Sequence, residues 1–254
     1  MLVWFLNHFD KRTVYRWFEI LPGTLVWLTL VGSVVLSIVN PLWAIYVIIL
    51  FDLYWLLRVA YLLVYLILSW RRYQTVLPVD WLPRAQALPA FTTIYHVVFL
   101  PTFREPLSIL RTTFESLKKS RYPLDHMIVV LAGEERDRED FLKNAQTLSA
   151  EYGAVFGHLL ITLHPANIVG EMAGKGANIA WAGKKAQELI DQLKLPYENV
   201  VVSSFDVDTC PHENYFAYLT YVYLTTPDNL HSSYQPVAVY NNNMWHSPAL
   251  MRVI

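Results

Sequence analysis

Two apolar runs near the N-terminus limit what this chain can fold into more than anything that follows them. Residues 21–39 carry no charged side chain, and residues 42–70 carry only Asp52 and Arg58. As helix, the first run is roughly 28 Å long, close to the hydrocarbon thickness of a bilayer. The second would reach about 43 Å and must tilt or protrude. Asn40-Pro41 between them reads as a tight turn. The pair predicts a two-helix transmembrane hairpin; a helical hairpin buried inside a soluble protein is the competing arrangement. Composition sides with the membrane: the chain is 54% hydrophobic and 16% charged, against about 25% charged for soluble domains.

The flanks agree. Residues 1–20 mix Trp4, Phe5 and Trp17 with Lys11, Arg12 and Arg16, the composition of a segment lying at headgroup level. They lack the small-residue pattern of a cleaved signal peptide. Lys11, Arg12 and Arg16 precede the first span; Arg71, Arg72 and Arg84 follow the second. The positive-inside rule puts both flanks in the cytoplasm, so everything from residue 71 onward faces the cytosol. Within the second span, Asp52 and Arg58 are six residues apart, about 240° around a helix. The expectation is that Arg58 snorkels to the interface and Asp52 meets the first helix. Residues 73–92 hold Pro78, Pro83 and Pro89 and read as a linker.

From Ile94 the rhythm becomes strand, helix, strand, helix. Strands are predicted over 94–100, 126–132, 156–163 and 200–205, with a fifth over 235–240. Helices are predicted over 106–120 and 137–152 and within 171–193. Alternating βα units imply an α/β fold with a mostly parallel sheet covered by helices on both faces. In such sheets ligands bind outside the carboxyl ends of the strands. Three polar stretches lie near that edge: 102–105, 133–137 and 206–208.

The last of these ends the run Val200-Val201-Val202-Ser203-Ser204-Phe205-Asp206-Val207-Asp208. If the strand persists through it, alternation puts Asp206 and Asp208 on one face. Two carboxylates there suit a hard divalent cation, Mg²⁺ or Mn²⁺. An acidic strand-to-loop turn without a ligand is the bland alternative. Gly174-Lys175-Gly176-Ala177-Asn178 opens a helical pattern. Glycines admit close backbone approach, Lys175 supplies a cation, and a helix N-terminus favours anions. The spacing is not that of a Walker A loop. His164, and Lys118-Lys119 and Lys184-Lys185, read as structural or solvated. Pro211-His212-Glu213 reads as a helix start, with a metal contact by His212 as the sharper alternative. Asn241-Asn242-Asn243 reads as a polar loop, with the border of an acceptor site as its alternative. A net charge of -1 offers no footprint for nucleic acid, and the single Cys210 permits no internal disulfide.

Taken together, Leu100-Pro101-Thr102-Phe103-Arg104-Glu105, Gly174-Lys175-Gly176-Ala177-Asn178 and Asp206-Val207-Asp208 resemble the motifs of the family 2 glycosyltransferases, in family order, over roughly residues 92–254. The resemblance implies a GT-A fold and a membrane-anchored enzyme. Such an enzyme would transfer a sugar from a nucleotide-sugar donor, UDP-sugar foremost, to an unknown acceptor at the cytoplasmic membrane face, inverting the anomeric centre. It implies that Thr102, Phe103 and Glu105 line the nucleotide pocket and that Lys175 lies by the base or diphosphate. Asp206 would hold the ribose side, and Asp208 would ligate the metal. Two departures stand out. The family often ends strand two with paired aspartates, one reading the base; here Glu134 or Glu135 takes that place. After Asp208 the only carboxylates are Glu213 and Asp228, so the family's catalytic base has no counterpart, and a Gln-x-x-Arg-Trp motif is missing. The expectation is that residues 93–254 form the donor-binding front of a longer protein. A non-catalytic, membrane-anchored nucleotide-binding or scaffold module is the alternative; a transporter fragment, resting on Asp52 and Arg58, is a weaker one.

Overall fold

A computed structural model describes residues 10–237 and divides the chain into two compact units, 1–77 and 78–254. The first unit is helical. α1 (Lys11–Val39) and α2 (Pro41–Val76) are joined at Asn40, whose side chain accepts the Trp43 amide at 3.4 Å while Pro41 takes the first helical position. Both are long and apolar enough to cross a membrane. α1 takes in residues 11–20 without a break, so the stretch expected to lie at headgroup level forms, as far as it is described, the first turns of the same long apolar helix. α2 runs six residues past Trp70. Ala44, beside the turn, is the one buried residue of α2. Asp52 is exposed and forms no hydrogen bond or ion pair among the described residues. Thr24, Thr29, Ser33 and Ser37 of α1 bond their own helix backbone. The expectation that Asp52 meets the first helix is therefore not met.

The second unit is α/β. β1 (Tyr95–Pro101), β2 (Met127–Glu134), β3 (His158–His164) and β4 (Val200–Ser204) form an all-parallel sheet in the order β3-β2-β1-β4. The register pairs Val97 with Ile128 and with Val202, and Ile128 with His158. α4 (Leu107–Lys118), α5 (Arg138–Tyr152), α6 (Lys175–Gln192) and α7 (Tyr215–Thr225) cover it. Alternation sorts the two faces. Val97, Phe99, Ile128, Val130 and Ala132 pack on Ala182, Ala186 and Ile190 of α6. The opposite face turns His96 to Phe216 and Thr220 of α7, and Ile94 and Val201 to Leu219 and Tyr223. Gly133 is on that face too, and a side chain there would collide with the Phe141 ring of α5. β1 and β2 are almost wholly buried, which is why they read as unbroken apolar runs.

Two expectations need correcting. Residues 73–92 are not an open linker. α2 ends at Val76, and α3 (Trp81–Gln86) buries Trp81 against Tyr218 and Tyr221 of α7, at ring-centroid distances of 4.5 and 5.1 Å. Asp80 caps α3, and its carboxylate meets Arg121 at 3.2 Å. The expected fifth strand is not formed over 235–237; residues 238–240 lie outside the described residues.

Candidate functional site

The site is built where three strands end. β1 stops after Pro101, and the amide of Thr102 still donates to the carbonyl of Ala132 at 2.8 Å, so the loop leaves the sheet held to β2. Glu105 then folds the loop on itself. Its carboxylate accepts the Thr102 hydroxyl at 2.6 Å and the Phe103 amide. Arg104, at φ 66°, is left-handed, and its amide donates to Asp137 at 2.8 Å. The loop thus takes its shape from carboxylates that accept backbone and hydroxyl protons.

At the end of β2, Glu134 is buried and accepts the Arg136 guanidinium, its Nε at 2.9 Å. That guanidinium lies 4.7 Å from the centroid of the Phe103 ring, with the Arg104 guanidinium 4.9 Å from the same ring. Glu135 turns elsewhere and accepts the Ala166 amide at 2.8 Å, fastening the loop that leads from β3 to α6. Of the two acidic candidates, only Glu134 lines the cleft.

β4 ends at Ser204, and Asp206 to Thr209 form a turn closed by the Thr209 amide on the Asp206 carbonyl at 2.9 Å. The strand does not persist through the motif, yet alternation survives. Phe205 and Val207 are buried, and Asp206 and Asp208 are exposed. The turn is pinned from beneath: the Phe205 amide donates to Phe99 at 3.0 Å, and the buried Thr113 hydroxyl donates to the Val207 carbonyl. From the other side α6 begins at Lys175, behind the extended Gly174. The Lys175 ammonium donates to Asp206. Asn178, one turn on, donates to the Ala132 carbonyl at 2.8 Å, while its own Oδ1 is buried without a partner.

These pieces enclose a cleft of about 490 Å³. Thr102, Phe103, Glu105, Glu134, Lys175, Asp206 and Asp208 all line it, joined by Arg136, Asn178 and Ile109. Arg136 is not singled out by sequence, because an arginine in an acidic loop reads as a solvated charge. Asn178 stood inside the glycine motif but carried no role. His212 is explained without a ligand: its Nδ1 accepts the Asn214 amide at 3.2 Å, just before α7. His164 meets Glu171 at 2.7 Å, a structural tie. Residues 241–243 lie outside the described residues.

Among the described residues no cluster of three or more His, Cys, Asp or Glu could cage a metal alone. The donor set nonetheless suits Mg²⁺ or Mn²⁺, which is commonly held by one or two carboxylates together with substrate phosphates and water. Asp208 would be such a carboxylate; Asp206 is already paired with Lys175. Acids and cations alternate around the cleft, Lys175 paired with Asp206 and Arg136 with Glu134, which offers a ligand both anion-binding and hydrogen-bond-accepting groups. No protein-family model matches the chain, and no curated protein matches it.

Proposed function

We propose that this protein is a membrane-anchored, metal-dependent glycosyltransferase of the GT-A type. It takes a nucleotide-sugar, UDP-sugar foremost, and passes the sugar to an acceptor at the cytoplasmic membrane face. One observation carries the reading: seven residues singled out from four separated stretches converge on one cleft at the carboxyl edge of a parallel sheet. Thr102, Phe103 and Glu134 would hold the nucleoside, and Lys175, at the start of α6, would face the diphosphate. Asp206 would take the ribose side. Asp208 would hold Mg²⁺ or Mn²⁺, which when bound stabilises negative charge on the diphosphate leaving group.

A second reading has its own support. Glu213 is paired with Arg121 at 2.9 Å and Asp228 with His231 at 2.7 Å. The acids of the cleft also have partners: Glu105 holds its loop, Glu134 holds Arg136 and Asp206 holds Lys175. A nucleotide-binding module without turnover would need no base. Calorimetry on the full chain in nanodiscs, with UDP and a UDP-sugar, in Mn²⁺ and in EDTA, tests the donor site. The expected result is metal-dependent binding, weakened at least about tenfold in Asp208→Ala, the loss of one charge-assisted contact. Absence of binding by UDP, GDP and dTDP alike would overturn it. Release of UDP on adding membrane lipid separates enzyme from module.

A further inference from the structure

α2 carries a polar stripe that the cleft does not explain. Tyr54, Arg58, Tyr61 and Tyr65 follow one another at spacings of four, three and four. At about 100° per residue they fall within about 60° of one another on the helix. All four are exposed, the tyrosines at 57%, 53% and 53%. The Tyr61 and Tyr65 rings lie 4.5 Å apart. Arg58 makes no hydrogen bond or ion pair among the described residues.

Two rulers place Arg58 in depth, on the reading that the hairpin spans a bilayer. Counted from Asn40, Arg58 is 18 residues along α2, a rise of about 27 Å. With the turn at one boundary of a core about 30 Å thick, Arg58 lies a few ångströms inside the other boundary. α1 gives the same level independently: its first charge counted back from the turn is Glu19, about 31 Å away, followed by Arg16 and Arg12. An arginine stem spans the remaining distance, and its head reaches the headgroup layer.

The stripe offers a guanidinium fork and three phenolic hydroxyls, a set that suits phosphate oxygens. The one carboxylate of the span, Asp52, is about 120° away around the helix and about 9 Å deeper. A zwitterionic headgroup brings its own cation to its phosphate; an anionic headgroup does not. We propose that the Tyr54–Arg58–Tyr61–Tyr65 face is a docking site for an anionic glycerophospholipid, whose phosphate Arg58 holds in the leaflet beside the basic flank of α1.

The test uses the full chain in native membranes and in nanodiscs of phosphatidylcholine with a minor share of phosphatidylglycerol. Lipid retained after detergent exchange is read by native mass spectrometry at high salt, where attraction by Arg71 and Arg72 is screened. The wild type is expected to keep phosphatidylglycerol several-fold above its share. Arg58→Gln is expected to fall to the bulk ratio, Tyr61→Phe to lose part of the excess and Arg58→Lys to restore part of it. Equal enrichment in Arg58→Gln, or none in the wild type, overturns the proposal. Displacement by soluble glycerol phosphate also overturns it, since the site would then take a free phosphate. Failure of the spanning reading looks different: the chain would leave native membranes in alkaline carbonate.

Discussion

The hairpin and the α/β unit are made of similar residues put to opposite uses. In the hairpin, leucines, valines and tryptophans are exposed along nearly the whole length of both helices, and Ala44 and Val14 are its only buried residues among those described. In the α/β unit the same residue types are sealed between sheet and helices, with Leu100, Leu110, Leu131 and Phe114 wholly buried. The α/β unit carries its own apolar interior. The hairpin has none of its own, and both its helices are long and apolar enough to cross a membrane.

The sharpest way to break that contrast is to remove the hairpin. A chain lacking residues 1–77 should move from the carbonate-washed membrane pellet to the soluble fraction and keep a cooperative melt by circular dichroism. A truncated chain that stays in the pellet, or melts gradually, would mean that the α/β unit leans on the helices. Next in size is a matched pair of leucines. Leu131→Ala, in the middle of β2, should destabilise the α/β unit by about 2–5 kcal/mol in urea. Leu57→Ala, on the exposed surface of α2, should leave the same urea midpoint within about 0.5 kcal/mol.

The smallest effect is one of acidity, and it belongs to the sealed interior alone. His96 is fully buried, its Nε2 2.7 Å from the Thr220 hydroxyl, and burial, helped by His126 nearby, pushes its pKa down to about 3. The folded chain therefore keeps this imidazole neutral while the unfolded chain protonates it near 6.5. Stability from this group is fully present above about pH 6.5 and falls as pH drops toward about 3. Between about pH 6.5 and about 5.5 the loss is about 1 kcal/mol. Urea midpoints across that range should show the slope in the wild type and a flatter one in His96→Asn; equal slopes would assign the acid sensitivity elsewhere.

Much of the fold was legible in the sequence, and the exceptions have physical reasons. β1 and β2 stood out because strands covered on both faces are unbroken apolar runs. The convergence at the carboxyl edge followed from alternating βα units. α3 was hidden because its six residues are too few to show a period, and three nearby prolines spoke for a loop. The strand expected over 200–205 does not run on through Asp206, where a turn forms, yet burial of Phe205 and Val207 turned both aspartates outward just as a strand would. Arg136 was invisible because its significance depends on Phe103, 33 positions earlier, and no local pattern encodes that meeting.

The Lys175–Asp206 contact means that Asp206 is not a bare carboxylate. A hydroxyl or cation reaching it would compete with the resident ammonium, and its net gain would be the difference between the two attractions. Added salt screens the resident pair and any charged competitor together. Binding there would therefore vary less with ionic strength than binding to a bare carboxylate.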